Sequence, residues 1–402
     1  MSPKSYNDYS DIVLLTLFAI PVGIAVGLVD ALFGRILIWI TNVRMEHPYQ
    51  LIPFLGIIGI LIVWCYKEFG KNSAKGMSLI FEAGHGTSDN IPLRLIPFSI
   101  VGTWLTHLFG GSAGREGVAI QVGGALSYEA GRRILTNVDR KLLLIVGMSA
   151  GFGGLFRTPI AAAFFAVEVL TAGVLENKAM LPALAASFTA SFTANICGLE
   201  KFYFMLSDNV TFSLLLALKL IALGISFGIT GRLFTMYLHK LKEIFADRMK
   251  NPLIRIFVIG VAVSCFSLLL WNGRYSGLGT NLISMSFDNG IYAWDFALKL
   301  VFTVVTLAAG FQGGEVTPLF SIGAPLGVVL ASILNVPVYF AAALGYSAVF
   351  AGATNTLIAP MIIGAEVFGY EYLPYFVIVC TVAYACNGNL SIYSLQKIYE
   401  IK

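Results

Sequence analysis

The sequence predicts an all-α membrane protein built from two inverted-topology repeats of broken and tilted transmembrane helices. Three observations predict it. Hydrophobic residues make up 57% of the 402 and charged residues only 12%, about half the charged share of a typical soluble protein. The second half of the chain repeats marks of the first at offsets of 198 to 203 positions. Glycine-broken segments that carry an acid recur in matching places, the pattern of a transporter whose site lies where two repeats meet.

The repeat is legible residue by residue. Gly114, Glu116, Gly124 and Ala125 align with Gly313, Glu315, Gly323 and Ala324. Further on, Gly147, Ser149, Ala150, Gly154, Thr158, Glu168 and Val169 align with Gly345, Ser347, Ala348, Gly352, Thr356, Glu366 and Val367. Upstream, Gly76-Met77-Ser78-Leu79-Ile80 aligns with Gly279-Thr280-Asn281-Leu282-Ile283. These matches set the repeats at residues 1–202 and 203–402, with Gly198–Thr211 as an external linker.

At the start, Lys4 is followed by Asp8 and Asp11, and the apolar run Ile12–Ile40 is too long for the core of a cleaved signal peptide. It reads as the first membrane helix. Long apolar runs occupy 12–40, 51–66, 92–109, 179–197, 212–238, 253–271, 293–311 and 373–387. Each is expected to cross the roughly 30 Å of hydrocarbon. Between them lie shorter pieces at 76–83, 116–130, 141–154 and 158–171, with mates at 279–286, 315–333, 339–352 and 356–368. Several are too short or too glycine-rich to cross alone. Irregular backbone survives at membrane depth only inside protein or beside a water-filled cavity, so these pieces mark a binding site.

Positive charge gathers in Lys67/Lys71/Lys75, in Arg132/Arg133/Arg140/Lys141 and in Lys240/Lys242/Arg248/Lys250/Arg255. Such loops are expected on the cytoplasmic side. Their repeat mates are nearly free of it: 331–340 has no charge and Arg44–Pro48 has one arginine. Matching loops therefore fall on opposite sides, which is what inversion means. Both termini are then cytoplasmic, with no soluble regulatory domain expected, in a multi-pass protein of the lipid bilayer. The net charge of +4 comes with no basic run long enough for nucleic acid. Cys65, Cys197, Cys265, Cys380 and Cys386 lack CxxC spacing and read as small core residues. The four histidines are scattered and suggest no metal site; His85, three after Glu82, is expected in a loop. No cofactor is implied.

The chemistry concentrates in Gly114-Arg115-Glu116-Gly117-Val118. Glycines flank the acid and a helical run follows. A helix N-terminus presents unpaired N–H groups and partial positive charge. It binds an anion without a full cation that would trap it. Glu116 sits where the anion belongs, so its carboxylate can fill the site and leave when protonated. One residue can thus couple proton to anion movement by competition. The plainer reading is an acid that merely complements its own helix dipole, worth under about 1 kcal/mol; at membrane depth an ionisable residue is functional by default. Gly313-Gly314-Glu315-Val316-Thr317-Pro318 is a second such start. Pro318 suits a first helical turn, Thr317 offers a hydroxyl, and Glu315 is a second buried acid with either a structural or a functional role. Gly76-Met77-Ser78 opens a third short segment, in which Met77 is either packing or lining. Glu168 and Glu366 sit in matching helices, and their symmetry favours bonding to the partner repeat's backbone. Tyr393 is either an interfacial belt tyrosine or an inward-reaching hydroxyl.

These motifs resemble those of the CLC chloride channel/transporter family over nearly the whole chain. Gly114-Arg115-Glu116-Gly117 matches the family's GREGP motif, with Val118 in place of proline. Gly314-Glu315-Val316-Thr317-Pro318 matches GxFxP with Val316 for phenylalanine. Gly76-Met77-Ser78-Leu79-Ile80 stands at GSGIP, with Met77 where chloride members have serine, and Tyr393 matches the inner-gate tyrosine. The resemblance implies the CLC fold and a homodimer with one pore per subunit. It makes Glu116 the gating and proton-transfer glutamate. The anion-binding set it implies is Gly76, Met77, Gly114, Gly117, Val118, Val316, Thr317 and Tyr393. The departures resemble the CLC-F group, bacterial fluoride/proton antiporters, in which Glu315 and Thr317 occupy functionally important positions. Val169 stands where chloride/proton exchangers carry an inner proton-transfer glutamate, so an inner proton route here would differ.

The resulting expectation is a fluoride/proton antiporter of the bacterial inner membrane that exports fluoride. The alternative is a chloride-selective transporter or uncoupled anion channel of the same fold. An intramembrane enzyme using Glu116 and Glu315 is disfavoured, because the chain shows no nucleophile with a paired base and no HExxH.

Overall fold

The computed structural model describes residues 8–207, 210–288 and 290–399. Lys4 and the end of the chain at Lys402 lie outside them. In the first half the helices are α1 (Asp8–Glu46), α2 (Pro48–Leu51), α3 (Leu55–Cys65), α4 (Met77–Gly84), α5 (Leu95–Leu108), α6 (Glu116–Ile134), α7 (Arg140–Phe156), α8 (Pro159–Glu168) and α9 (Asn177–Ile196). In the second half they are α10 (Leu214–Arg248), α11 (Pro252–Leu269), α12 (Thr280–Ser286), α13 (Asp295–Ala309), α14 (Val316–Leu334), α15 (Val338–Thr354), α16 (Ile358–Phe368) and α17 (Leu373–Ala385). With the one-turn α2 set aside, the two halves hold the same eight helices in the same order. The longest of each, α1 with 39 residues and α10 with 35, opens its half.

Some segments differ from the sequence reading. The runs at 92–109, 293–311 and 373–387 give helices of 14, 15 and 13 residues, short of the about 20 that span hydrocarbon untilted. α5 and α13 stop early because Gly110 and Gly310 take positive φ, 89° and 108°, just past each helix. The run at 51–66 is helical throughout, a 3₁₀ turn at Ile52–Phe54 leading into the 11 residues of α3, and the stretch Pro48–Gly84 is long and apolar enough to cross. Conversely 315–333, grouped with the shorter pieces, forms the unbroken 19 residues of α14 and is long and apolar enough to cross. Its glycines serve packing instead of interruption. A Cβ on Gly323 would lie 2.0 Å from the Gly345 carbonyl oxygen of α15. The same contact recurs in the first half, where a Cβ on Gly123 of α6 would lie 2.0 Å from Gly147 O of α7. Close backbone approach of this kind is how helices associate where no water drives them together.

The repeats are tied by exchange. Glu168, the last residue of α8, accepts from the backbone N–H groups of Leu357 (3.3 Å), Ile358 (3.1 Å) and Ala359 (2.8 Å) at the start of α16. Glu366 of α16 accepts from Ile160 (3.2 Å) and Ala161 (2.9 Å) at the start of α8. Each acid satisfies the orphan donors of the opposite helix. This is the structural role that their symmetry suggested.

The segment after α17 is pinned rather than helical. Lys397–Ile398 pairs in parallel with Thr171–Ala172, and Gln396 Nε2 donates to Val169 O (2.9 Å) and Thr354 O (3.0 Å). His85 follows α4 in a loop, as expected, with Nε2 3.0 Å from Leu395 O. Of the cysteines only Cys380 is buried; Cys65, Cys197 and Cys386 are partly exposed and Cys265 is exposed. The expectation of five core cysteines is therefore corrected. In a membrane protein an outward-facing apolar side chain meets lipid, and burial is not what an apolar cysteine requires.

Candidate functional site

The centre forms where two loops meet head to head. Gly114 N donates to Gly314 O (2.6 Å) and Gly314 N donates back to Gly114 O (2.9 Å). This single antiparallel bridge joins the two repeats, pairing Gly114 with the residue next to its sequence mate Gly313. From it, α6 and α14 start side by side. α6 leads to the basic loop 132–141. α14 ends at Asn335, whose carbonyl accepts from Lys219 Nζ of α10 at 2.9 Å.

Glu116 is the first residue of α6 and is fully buried. Its carboxylate lies on the start of α14, not on its own helix. Oε1 accepts from Val316 N. Oε2 accepts from Arg115 N (2.9 Å), Thr317 N (3.2 Å) and Thr317 Oγ1 (3.3 Å). The acid therefore fills a cradle of three backbone donors and one hydroxyl, the kind of site a helix N-terminus offers to an anion. The cradle depends on missing side chains. A Cβ on Gly314 would lie 2.0 Å from Glu116 Oε1, and one on Gly114 would lie 2.5 Å from Oε2.

Below the cradle opens a cavity of about 520 Å³. Gly76, Met77, Glu315 and Tyr393 line it, with Lys67, Lys71, Lys75, Lys242 and Arg255 around it. Two of the three basic clusters read from the sequence thus share one mouth. Gly76, at a φ of 52°, turns the chain into α4, and Met77 is the first residue of that helix. Gly117 packs beside the cradle and α4: a Cβ there would meet Gly314 Cα at 3.4 Å and Met77 Cγ at 3.7 Å. Tyr393 is 6% exposed, stacks on Phe81 with ring centroids 5.2 Å apart and meets Phe165 edge-on at 6.3 Å. Of the two positions open to it, the structure gives the inward one. Val118 is the exception among the predicted residues. Its side chain packs in an apolar cluster with Phe33, Leu37 and Leu278, so only its backbone belongs to the first turn of α6.

Sequence reasoning passed over two polar groups near this centre. Lys299 of α13 is fully buried. Its Nζ donates to Gly277 O (2.7 Å), Ser112 Oγ (2.9 Å) and Tyr275 O (3.1 Å), which braces the loop leading into Gly114. The signal was available: a lysine inside an apolar run is an intramembrane ionisable residue. Gln121, five residues after Glu116, also lines the cavity. A lone amide within Val118–Ala125 was its only mark. Among the described residues no group of three or more histidine, cysteine or acidic side chains is placed to hold a metal.

The arrangement can exchange a carboxylate for another small anion at a neutral donor site. Comparison with known proteins places it. The voltage gated chloride channel family model matches residues 58–388. A chloride/fluoride channel protein of Pseudomonas syringae pv. tomato is 37% identical over 388 residues, covering 95% of this chain and 86% of its own. An H(+)/Cl(-) exchange transporter of Cronobacter sakazakii is 26% identical over 351 residues, 80% of this chain and 73% of its own. The crystal structure of a CLC-type fluoride/proton antiporter superimposes with a TM-score of 0.96 at 50% identity, covering 97% of this chain and 99% of that one. A slow cyanobacterial Cl-/H+ antiporter shares the fold at a TM-score of 0.83, 22% identity and coverage of 95% and 96%. The chain belongs to the voltage-gated chloride channel (CLC) family.

Proposed function

We infer that the protein is a fluoride/proton antiporter that exports fluoride. One observation carries the mechanism: the Glu116 carboxylate sits on the backbone donors of Val316 and Thr317. Those groups suit an anion, and a charged acid and a free anion compete for them. Protonation weakens the acid's hold, because a neutral carboxyl draws far less from charge-assisted bonds. The acid then leaves with its proton and fluoride takes the seat. Repetition moves protons one way and fluoride the other, and an inward proton gradient drives export.

The choice of fluoride rests on Met77, on the Val316-Thr317 start and on likeness to the fluoride/proton antiporter structure. Stripping water from fluoride needs close donors, which two backbone amides and the Thr317 hydroxyl offer. Glu315, facing the cavity, belongs to the proton or fluoride pathway in this reading. The same reading makes the protein a homodimer in the bacterial inner membrane with both termini cytoplasmic, its repeats divided at 202/203. A second reading, an anion channel or a chloride-selective transporter, draws on the Pseudomonas relative's name.

Paired flux measurements on purified protein in liposomes separate the two. Fluoride gradients are expected to drive proton movement, and chloride gradients to do so poorly. Equal coupling with chloride, or fluoride flux without protons, would favour the second reading.

A further inference from the structure

We propose that Gln121 is a fluoride ligand at the cytoplasmic mouth, a specificity-determining amide that stands in for the hydroxyl Met77 lacks. The inference rests on the fluoride reading above and adds a residue to it.

The placement is specific. The Gln121 amide lies between the starts of α4 and α6. Both Nε2 and Oε1 are 3.8 Å from where a Cβ on Gly76 would stand, and Nε2 is 3.9 Å from the same point on Gly117. Met77 Cγ lies 3.7 Å from that Gly117 point, so thioether and amide border one gap. The gap opens on the cavity that both residues line. Gln121 is only 8% exposed, and among the described residues its amide makes no hydrogen bond. The amide faces the cavity, so an ion or water there can reach both its donors and its acceptor.

The chemistry fits a small, strongly hydrated anion. An amide brings two N–H donors and no net charge. It can replace part of the water shell that fluoride sheds on leaving the lysine-ringed mouth. A cation in its place would hold the ion too tightly to pass on. Met77 has no N–H or O–H to give, so of the two side chains bordering the gap only Gln121 can donate. The anion would pass from Gln121 to the donors of Val316 and Thr317 once Glu116 has left them. The amide oxygen, an acceptor, can take a proton-bearing partner at the same point.

The test uses purified protein in liposomes and in detergent. Fluoride affinity is read by calorimetry, and fluoride and proton fluxes are read together. Gln121→Leu keeps the bulk and removes the donors. It is expected to weaken fluoride binding about tenfold, the effect of one lost hydrogen bond, with the proton-to-fluoride ratio and the melting temperature unchanged. Gln121→Glu sets a negative charge in the gap and is expected to weaken binding further. Gln121→Asn, which keeps an amide one methylene short, is expected to fall between wild type and Gln121→Leu, and it serves as the readout should the leucine variant not fold. A wild type that binds fluoride and a Gln121→Leu or Gln121→Asn variant that binds it equally well would overturn this inference alone. A wild type that neither binds nor moves fluoride would overturn both it and the functional reading.

Discussion

Oε1 of Glu116, the first residue of α6, accepts a hydrogen bond from the backbone N–H of Val316, the first residue of α14. The Glu116 carboxylate of one repeat thus occupies the helix start of the other. This follows from the Gly114–Gly314 bridge, which sets the two starts so close that the side chain of one reaches the donors of the next. In the proposed mechanism, competition between carboxylate and anion is then a property of the repeat interface and not of either half.

Gly314→Ala tests the fit. The new Cβ would fall 2.0 Å from Glu116 Oε1 and 2.8 Å from Gly117 N. Overpacking of this sort costs about 1–3 kcal/mol, here charged against the seated acid. Fluoride flux is expected to drop at least about tenfold, and proton coupling to fall with it. Wild-type coupling in this variant would show that the acid does not need the cradle.

Glu168→Gln and Glu366→Gln test the exchange between repeats. Each replaces a carboxylate that accepts two or three backbone N–H bonds with an amide whose NH₂ faces donors. Bonds to charged groups contribute about 1.5–3 kcal/mol each. Both variants are expected to lower the unfolding temperature in detergent, because the amide oxygen can keep only part of the carboxylate's bonds while its NH₂ turns a donor toward a backbone N–H. Unchanged melting would remove the structural role.

Much of this was written in the chain. The repeat offsets, the glycine breaks and the acid at 116 placed the site at the interface because the same chemistry had to be built twice. What could not be read was which helix Glu116 would serve, since spacing along one strand of sequence says nothing about a neighbour 200 positions away. By sequence the segment 315–333 groups with the shorter, glycine-rich pieces, whereas its Gly323 and Gly327 are contact points for α15. The shortness of α5 and α13 was hidden by apolar residues that continue past Gly110 and Gly310. Lys299 was visible as a charge, but nothing along the chain showed that it would meet the Tyr275 and Gly277 carbonyls and, 187 positions away, Ser112.

Thr317→Val isolates the hydroxyl. It removes the 3.3 Å contact to Glu116 Oε2 and leaves the backbone donors in place. One neutral hydrogen bond contributes about 1 kcal/mol. Fluoride affinity by calorimetry is expected to fall roughly fivefold, with coupling intact. A larger loss would mean that the hydroxyl, not the amides, dominates the seat.

Lys67→Gln with Lys71→Gln tests the cavity mouth. Both lysines are exposed and line it. Charges there raise local anion concentration, an effect that salt screens within about 10 Å at 0.1 M. The double variant is expected to slow fluoride flux from that side at low ionic strength and to match wild type at high. A deficit that persists in high salt would point to a specific contact.

Glu116→Gln measured by paired fluoride and proton flux bears most directly on the account. A glutamine cannot carry the proton or compete as an anion for the donors of Val316 and Thr317. The account predicts that fluoride binds in the seat and that fluoride-driven proton movement is lost, while wild-type protein in the same vesicles couples the two. Proton coupling retained in Glu116→Gln would contradict it.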